Sequence, residues 1–357
     1  MEFFATCPKG FEHLLANELV RIGIAHPRPL QGQVSFAGEL EAAYRACLWS
    51  RLASRVVLVL GRHDARTSDE LYEGVRELPW EDHIAPAATF AVDATGTNDQ
   101  LRTTQFTAVR AKDAVVDRLL AQRGTRAQVD THNADVTVAV RISRNRALVG
   151  IDLVGTPLFK RAYGRSRIKG GLRFDYAAAL LELGGWASMC EHATPQAAPS
   201  LLVASPNPDS LAVEAALMAA QHAPGLSRTA WGFKTWAGHN EDAWQQLVAE
   251  AKEAVRDEAC ATIQALSWEV SVLQTRATLD SLGVRAAFEL VPAKAVESQT
   301  GLAEHVSLAA FDLSSAWPGE PAHEASLLSS MANMARATHP SSVAVASRDS
   351  LPGAYLQ

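Results

Sequence analysis

Residues 201–214, LLVASPNPDSLAVE, give the strongest indication of fold in this sequence. The apolar run Leu201–Val203 predicts a strand, and the alanine-rich run that begins at Leu211 predicts a helix. A strand, a short loop and a helix in this order begin a doubly wound α/β sheet, in which the loop is the usual place for a nucleotide. We therefore expect a Rossmann-like domain around this segment, with its ligand site in the loop.

The loop itself contains no glycine. It reads Pro206, Asn207, Pro208 and Asp209 between the predicted strand and helix. Loops that bind nucleotides use glycines to turn with positive φ and to bring the backbone close to the ligand. The two prolines instead fix φ and remove amide donors, and Asp209 adds negative charge where a carboxylate-bearing cofactor would dock. We therefore expect an eroded cofactor site. Its residues are Val203, Asn207, Asp209 and Ser210.

Strands and helices alternate on both sides of this segment. After it, candidate strands fall at residues 265–268, 288–291, 307–312 and 342–346, a pattern typical of a parallel α/β sheet. Before it, short strands and helices alternate from residue 3 to residue 153, a pattern typical of small α+β sandwiches. The fold class that we expect is therefore α/β and α+β.

Composition excludes several classes of protein. The chain has 357 residues, 48% of them hydrophobic and 20% charged, enough for two or three globular domains. No apolar run approaches the length of a membrane span, and the early acidic residues argue against a signal peptide. We therefore expect a cytoplasmic protein without a membrane partner. The four cysteines lack CxxC spacing and the histidines are dispersed, so we expect reduced thiols and no metal site.

Charge is distributed unevenly along the chain. Residues 101–173 contain 15 Lys and Arg against 5 Asp and Glu, a local net charge of +10, although the whole chain has a net charge of −6. A strongly basic segment within an acidic background indicates a polyanionic partner for that segment. A solvated face that balances a neighbouring acidic domain is the alternative.

Several blocks of sequence are specific enough to indicate a family. They are FFATCPKGFEHLLANEL (3–19), LWSRLASRVVLVLG (48–61), ATFAVDATGTNDQLRTTQF (88–106), VRAKDAVVDRLL (109–120), KRAYGR (160–165) and EAALMAAQHAPGLSRTAWGFKTWAGHNEDAWQ (214–245). Together they resemble the THUMP-domain large-subunit (23S) rRNA guanine-N2 methyltransferase family. The resemblance implies an N-terminal ferredoxin-like domain at 1–60, a THUMP RNA-binding domain at 61–155, a basic connector at 156–185 and a Rossmann-like class I methyltransferase domain at 186–357.

The departures from the family fall on its methyltransferase motifs. The first motif, Asp-Pro-x-Cys-Gly-x-Gly-Thr, aligns with residues 203–210, where the acid, the cysteine and both glycines are absent. Glu269 is a possible remnant of the acid that holds the cofactor ribose. The base-holding motif, Asn-Pro-Pro-Tyr, is replaced by FDLSSAWP at 311–318. Asp312 in that stretch is interpreted as a surface or capping residue, and no catalytic residue is assigned.

These departures predict a protein without catalysis. We expect an rRNA-binding protein, a pseudo-methyltransferase with no cofactor, that acts in RNA binding or assembly with a partner methyltransferase or as a homo-oligomer. The alternative is an active S-adenosylmethionine-dependent rRNA (guanine-N2) methyltransferase with divergent motifs. A third hypothesis is an interaction module whose eroded pocket binds another metabolite or a protein.

The residues expected to contact RNA lie in the THUMP-like segment and the connector. Their basic and amide side chains can neutralise or hydrogen bond to phosphate and ribose, and a tyrosine can stack on a base or pack under the connector. They are Asn98, Arg102, Gln105, Arg110, Lys112, Lys160, Arg161, Tyr163, Arg165, Arg167 and Lys169.

Two further features have structural explanations. Asp113 projects onto the apolar stripe of a predicted helix, so we expect a buried carboxylate paired with Arg102 or the Asn98 loop. An aromatic segment that contains Trp231, Phe233, Trp236 and Trp244 is interpreted as core packing of the second domain.

Overall fold

The computed structural model divides the chain into two compact units. The first comprises Met1–Leu158 and Arg228–Val248, and the second comprises Phe159–Ser227 and Ala249–Gln357. The structure describes residues 1–164, 172–194, 196–205, 207–256, 258–267, 273–292, 302–313 and 321–347. Within those ranges, no helix is both long enough and apolar enough to cross a membrane.

The first unit is built on one mixed sheet. Its strands are β1 (Glu2–Thr6), β2 (Arg28–Leu30), β3 (Gln33–Ala37), β4 (Arg55–Asp64), β5 (Thr89–Thr95), β6 (Gln128–Val129), β7 (Val136–Ser143) and β8 (Arg146–Asp152). Its helices are α1 (Glu12–Arg21), α2 (Leu40–Trp49), α3 (Ser68–Glu77) and α4 (Thr104–Arg123). The strand order is β2-β3-β1-β4-β8-β7-β5-β6. On β7 the apolar residues Val136, Val138, Val140 and Ile142 alternate with more exposed ones, so one face of this strand lies in the core.

Strand β4 connects the two halves of this sheet. It pairs with β1 through Phe3 and Leu58, and with β8 from Val57 to Asp64, with a register shift between Val59 and Gly61. The predicted domain boundary at residue 60 therefore lies inside a continuous strand. Because the sheet is shared, the ferredoxin-like and THUMP segments form one hydrogen-bonded layer.

The aromatic segment belongs to the first unit. Trp231, Phe233 and Trp244 pack around the fully buried Tyr44 of α2, with the Tyr44 and Phe233 rings 4.7 Å apart. The Tyr44 hydroxyl also lies 2.5 Å from His239 Nδ1, and burial raises the pKa of Tyr44 to about 12. The prediction of aromatic core packing holds, but its assignment to the second domain was wrong. The predicted domain at 186–357 includes a segment that the structure places elsewhere.

The second unit contains a five-stranded sheet. Its strands are β9 (Ser200–Ala204), β10 (Glu258–Ser267), β11 (Arg285–Pro292), β12 (Leu308–Asp312) and β13 (Ser342–Ala346), in the order β11-β10-β9-β12-β13, and every pair is parallel. Its helices are α5 (Phe174–Leu183), α6 (Trp186–Glu191), α7 (Asp209–Ala219), α9 (Leu273–Ser281) and α10 (Pro321–Thr338), and α8 (Glu241–Glu253) runs from the first unit into the second. This doubly wound arrangement confirms the predicted fold class.

Candidate functional site

A polar cluster lies at the carboxyl ends of β9 and β12. The chain runs from β9 outward to β10 on one side and returns to β12 on the other, so these neighbours are the topological switch point of the sheet. Open α/β sheets bind their ligands at that point. Ser205 follows β9 and Asp312 ends β12, and Ser205 Oγ donates to Asp312 Oδ2 at 3.0 Å. Both residues are 0% exposed, so the interpretation of Asp312 as a surface residue was wrong.

The loop after β9 turns without glycine by using its own side chains. The backbone N–H of Asn207 donates to Ser205 Oγ at 3.2 Å, and that of Asp209 donates to Asn207 Oδ1, also at 3.2 Å. Such side-chain acceptors replace the backbone bonds of a turn. Because these two amides are already bonded, a ligand in this loop would be held by side chains.

Three side-chain atoms of the loop are buried without a partner among the described residues. They are Asn207 Nδ2, Asp209 Oδ2 and Ser210 Oγ. Leaving a polar atom buried and unbonded costs about 1 to 3 kcal/mol each, which is why native proteins contain few of them. Three within four residues, at the switch point and at the start of α7, form a set of donors and acceptors that fits a polar ligand.

The charged member of this set is Asp209. Thr275 Oγ1, from α9, donates to Asp209 Oδ1, which leaves Oδ2 as the unbonded oxygen. Burial raises the pKa of Asp209, although the hydrogen bond from Thr275 opposes the shift. A positively charged ligand group beside Oδ2 would compensate for the burial of the carboxylate.

Arg161 is a buried residue of the second unit. Its Nε donates to Glu214 Oε1 of α7 at 3.0 Å, and the two side chains are 2% and 0% exposed. Burial alone would lower the pKa of Arg161, but the Glu214 carboxylate outweighs it and the pKa is raised. A contact between Arg161 and an RNA phosphate would require this pair to separate, so the structure contradicts that prediction.

Two other RNA candidates have internal partners. Tyr163 donates its hydroxyl to Glu214 at 3.0 Å and meets the ring of Phe174 edge to face, as expected if it packs under the connector. Asn98 Nδ2 donates to the carbonyls of Ala65 and Arg144, while its Oδ1 accepts two backbone amides. All of the hydrogen-bonding atoms of the Asn98 side chain are therefore engaged in holding its loop.

Four candidates surround the first half of α4. Arg102 and Gln105 are exposed, and Arg102 Nε donates to the Asp99 carbonyl. Arg110 pairs with Asp69 at 2.8 Å, and Lys112 pairs with Asp113 at 2.6 Å. Of the connector candidates, Lys160 is exposed. The residues Arg165, Arg167, Lys169 and Glu269 lie outside the described ranges.

Asp113 is not buried. Its side chain is 45% exposed and its cation is Lys112, so the prediction of a buried carboxylate held by Arg102 or the Asn98 loop was wrong. The apolar stripe on which Asp113 lies is itself largely exposed to solvent, because Phe106, Val109 and Leu120 are each more than two-fifths exposed. Phe106 is an exposed aromatic residue close in sequence to Arg102 and Gln105, and it was not among the predicted RNA contacts. Its position one turn from the helix cap, Thr103, was the available signal.

Two domain families match the first unit. The RlmL ferredoxin-like domain matches residues 2–57, and the THUMP domain matches residues 65–152. The chain has an RlmL ferredoxin-like domain followed by a THUMP domain. These matches confirm the ferredoxin-like and THUMP domains that the resemblance implied.

Curated relatives cover most of this chain. A protein of Cellvibrio japonicus named "Ribosomal RNA large subunit methyltransferase K/L" is 41% identical over 250 residues, which are 70% of this chain and 33% of that protein. The protein of the same name from Marinobacter nauticus is 42% identical over 255 residues, 71% of this chain and 34% of that protein. The chain spans about a third of the length of the curated relatives it matches.

Solved structures share the fold over nearly the whole chain. A predicted N6-adenine-specific DNA methylase from Listeria monocytogenes superposes with a TM-score of 0.80 at 22% identity, covering 96% of this chain and 87% of that one. A putative methyltransferase complexed with SAH superposes with a TM-score of 0.78 at 21% identity, covering 94% of this chain and 86% of that one. At these identities the likenesses show the fold alone, and they confirm the predicted Rossmann-like fold of the second unit.

The prediction of a pseudo-methyltransferase was wrong. Relatives at about 40% identity bear the name of an rRNA large subunit methyltransferase, which favours the alternative of an active enzyme. The prediction that no cofactor binds loses its basis for the same reason. The glycine-free loop led to the prediction of no cofactor and, together with the missing base-holding motif, to that of no catalysis. The internal hydrogen bonds of the loop show that a turn forms there without glycine.

Proposed function

We propose that this chain is an S-adenosylmethionine-dependent RNA methyltransferase whose substrate is rRNA. The observation that carries the proposal is the polar cluster of Ser205, Asn207, Asp209, Ser210 and Asp312 at the switch point of a parallel sheet. The same chain carries a THUMP domain, and its relatives are named rRNA methyltransferases. A ligand site of this kind, coupled to an RNA-binding unit, supports methyl transfer to RNA.

The side chains without partners supply the groups that a polar cofactor needs. S-adenosylmethionine, when bound, supplies an electrophilic methyl group on a sulfonium centre. Asn207 Nδ2 would donate to a ligand oxygen, Ser210 Oγ would donate or accept, and Asp209 Oδ2 would accept. The start of α7 in this loop adds the positive end of a helix dipole, which favours a ligand carboxylate at the helix axis.

Asp312 is the residue that we assign to the target base. Its carboxylate ends β12, is fully buried and is held through Oδ2 by the Ser205 hydroxyl. A buried carboxylate that is fixed in this way can accept a hydrogen bond from an exocyclic amino group and orient that nitrogen for attack. It can also take up the proton that the nitrogen loses on methylation. The guanine N2 amino group is the acceptor that we propose, in line with the family resemblance.

RNA binding is assigned to the first unit and the connector. The exposed candidates on the surface around α4 are Arg102 and Gln105, with Arg110 and Lys112 partly exposed and paired to acids. The basic sequence continues in the connector with Lys160, Arg165, Arg167 and Lys169. The proposed domain bounds remain 1–60, 61–155, 156–185 and 186–357, except that the segment 228–248 belongs with the first unit. The RNA contacts need no cation from Arg161, which is held by Glu214.

Binding of S-adenosylmethionine to the full chain tests the proposed cofactor. Isothermal titration calorimetry should detect one site with a dissociation constant in the micromolar range, the range in which enzymes commonly bind their substrates. ATP, which shares the adenosine but carries three phosphates, should bind much more weakly because of the carboxylate of Asp209. No heat change with S-adenosylmethionine in large excess would contradict the proposed function.

Salt dependence tests the proposed RNA surface. If the surface around α4 and the connector make about four to six phosphate contacts, log K against log salt should have a slope of about −3 to −5. Replacing Arg102→Glu and Lys112→Glu together should weaken binding of an rRNA fragment at least about tenfold, because charge reversal adds repulsion to the lost contacts. The matched control, Lys9→Glu with Arg28→Glu, changes the charge equally at exposed sites elsewhere in the first unit and should have a small effect. Equal losses in the two double variants would show attraction by net charge alone.

A further inference from the structure

We propose that Asp209 is a specificity residue of the cofactor pocket, and that its free oxygen Oδ2 binds the ammonium group of the amino-acid end of S-adenosylmethionine. The inference rests on the proposed function. It concerns how this particular chain, which lacks a glycine loop, recognises its ligand. The residue that replaces a loop glycine supplies a charge in place of a backbone amide.

Geometry separates the two oxygens of this carboxylate. Oδ1 accepts from the Thr275 hydroxyl of α9, which fixes the plane and the rotamer of the side chain. Oδ2 is buried and has no hydrogen-bond donor among the described residues. Asp209 as a whole is only 3% exposed. An orientation fixed on one side with an acceptor free on the other is the arrangement of a preorganised binding group.

The chemistry of the free oxygen favours a cationic partner. Among the described residues, neither a lysine nor an arginine donates to Asp209 Oδ2, which is buried without a partner. A neutral donor such as a ribose hydroxyl would satisfy the hydrogen bond and leave the charge uncompensated. An ammonium group donates the hydrogen bond and also compensates the charge, and charge-assisted hydrogen bonds are about twice as strong as neutral ones.

The other two unpartnered atoms fit the rest of the same ligand end. Asn207 Nδ2 is a donor two residues before Asp209, and Ser210 Oγ follows it at the start of α7. An α-amino acid group presents a carboxylate beside its ammonium, so one donor and one acceptor are needed close together. Asn207 and Asp209 provide that pair, which a nucleoside without the amino-acid end would leave unused.

The test is a ligand-by-variant cycle measured by calorimetry on the full chain. The variant Asp209→Asn keeps the shape of the side chain and an oxygen for Thr275, and removes the charge. The ligands are S-adenosylmethionine and 5′-methylthioadenosine, which has the same nucleoside but lacks both the amino-acid end and the sulfonium charge. A third ligand, S-adenosylhomocysteine, has a neutral sulfur and keeps the ammonium group, so it should lose affinity as S-adenosylmethionine does if the ammonium group is what Asp209 binds. The control variant is Asp280→Asn, which removes an equal charge from an exposed site on α9.

We expect Asp209→Asn to weaken S-adenosylmethionine binding about ten- to hundredfold and to leave methylthioadenosine binding nearly unchanged. Thermal melting of the unliganded variant should stay at the parent temperature or rise, because a carboxylate whose pKa is raised by burial destabilises the fold. Asp280→Asn should bind both ligands as the parent does.

Several outcomes overturn the inference, and the measurements distinguish them from one another. Asp209→Asn could bind S-adenosylmethionine as tightly as the parent, or lose affinity for S-adenosylmethionine and methylthioadenosine equally. In either case Asp209 does not bind the ammonium group, while the proposed function stands. If the parent chain binds neither ligand, the proposed function fails together with the inference. A variant that melts at a much lower temperature would assign Asp209 a purely structural role.

Discussion

Replacing Arg161 by methionine should lower the free energy of unfolding of the second unit by about 3 to 5 kcal/mol, because it removes the arginine that pairs with a buried carboxylate. Glu214 is 0% exposed on α7, and Arg161 Nε lies 3.0 Å from its Oε1. The Tyr163 hydroxyl also donates to that carboxylate, but it carries no charge. Chemical denaturation, read out by hydrogen exchange in α5 and α7, measures the loss in this unit.

The double variant Arg161→Met with Glu214→Met supplies the decisive control. Replacing both partners of a buried pair by apolar residues of similar size is often neutral or stabilising, so much of the loss should be recovered. Arg62→Met, which breaks an exposed pair with Glu2, should cost about 1 kcal/mol or less. If Arg161→Met leaves the unfolding curve unchanged but weakens RNA binding, the pair opens in solution and the original prediction of a phosphate contact is restored.

Local sequence patterns were enough to locate most of the sheet of the second unit. The apolar runs at 201–203, 307–312 and 342–346 correspond to β9, β12 and β13, because buried parallel strands are continuous apolar segments. The order of the strands follows from the βα alternation only if crossovers are right-handed and the chain reverses direction once. The segment 228–248 broke this reasoning, because nothing in its periodicity shows that it packs around Tyr44.

The candidate site was only partly predictable. The loop at 204–210 was located from the sequence, but its hydrogen bonds were not predicted. No residue pattern indicates that the side chains of Ser205 and Asn207 accept the bonds that stabilise a turn without glycine. Asp312 was dismissed for want of a partner, and its partner, Ser205, lies 107 residues away in sequence. A contact between residues so far apart in sequence depends on which strands are neighbours, so it can be predicted only once β9 and β12 are known to pair.

Helix periodicity also failed at α4, for a physical reason. Residues 106, 109, 113, 116 and 120 share one face, which predicts burial of that face. The structure buries Val116 but leaves Phe106, Val109 and Leu120 exposed, and Asp113 is paired at the surface. The face of α4 that is buried is instead the neighbouring one, which contains Thr107, Ala111, Ala114, Val115 and Leu119, so most of the apolar stripe is left in water. At the N-terminal end of α4 this exposed part lies beside Arg102 and Gln105, which suits a surface that stacks on unpaired bases.

Replacing Asp312 by asparagine should reduce methyl transfer to rRNA by about 10² to 10⁴, the range for loss of a general acid–base group. Asparagine keeps the shape and an oxygen for the Ser205 hydroxyl, but it cannot take up the proton that the target nitrogen loses. Transfer of tritium from methyl-labelled S-adenosylmethionine to rRNA measures the rate. Calorimetry with the same cofactor should give nearly the parent affinity, because Asp312 is assigned to the base and Asp209 to the cofactor.

The variant Ser205→Ala separates proton uptake from orientation. It removes the hydroxyl that holds Asp312 Oδ2 and leaves the carboxylate in place, so it should slow transfer less than Asp312→Asn does. Because Ser205 Oγ also accepts from Asn207 N–H, the variant should loosen the loop and weaken cofactor binding as well. If Asp312→Asn transfers methyl groups at the parent rate, the buried carboxylate only caps the end of β12. Methyl transfer would then depend on residues outside this cluster, and the assignment of the target base to β12 would have to be abandoned.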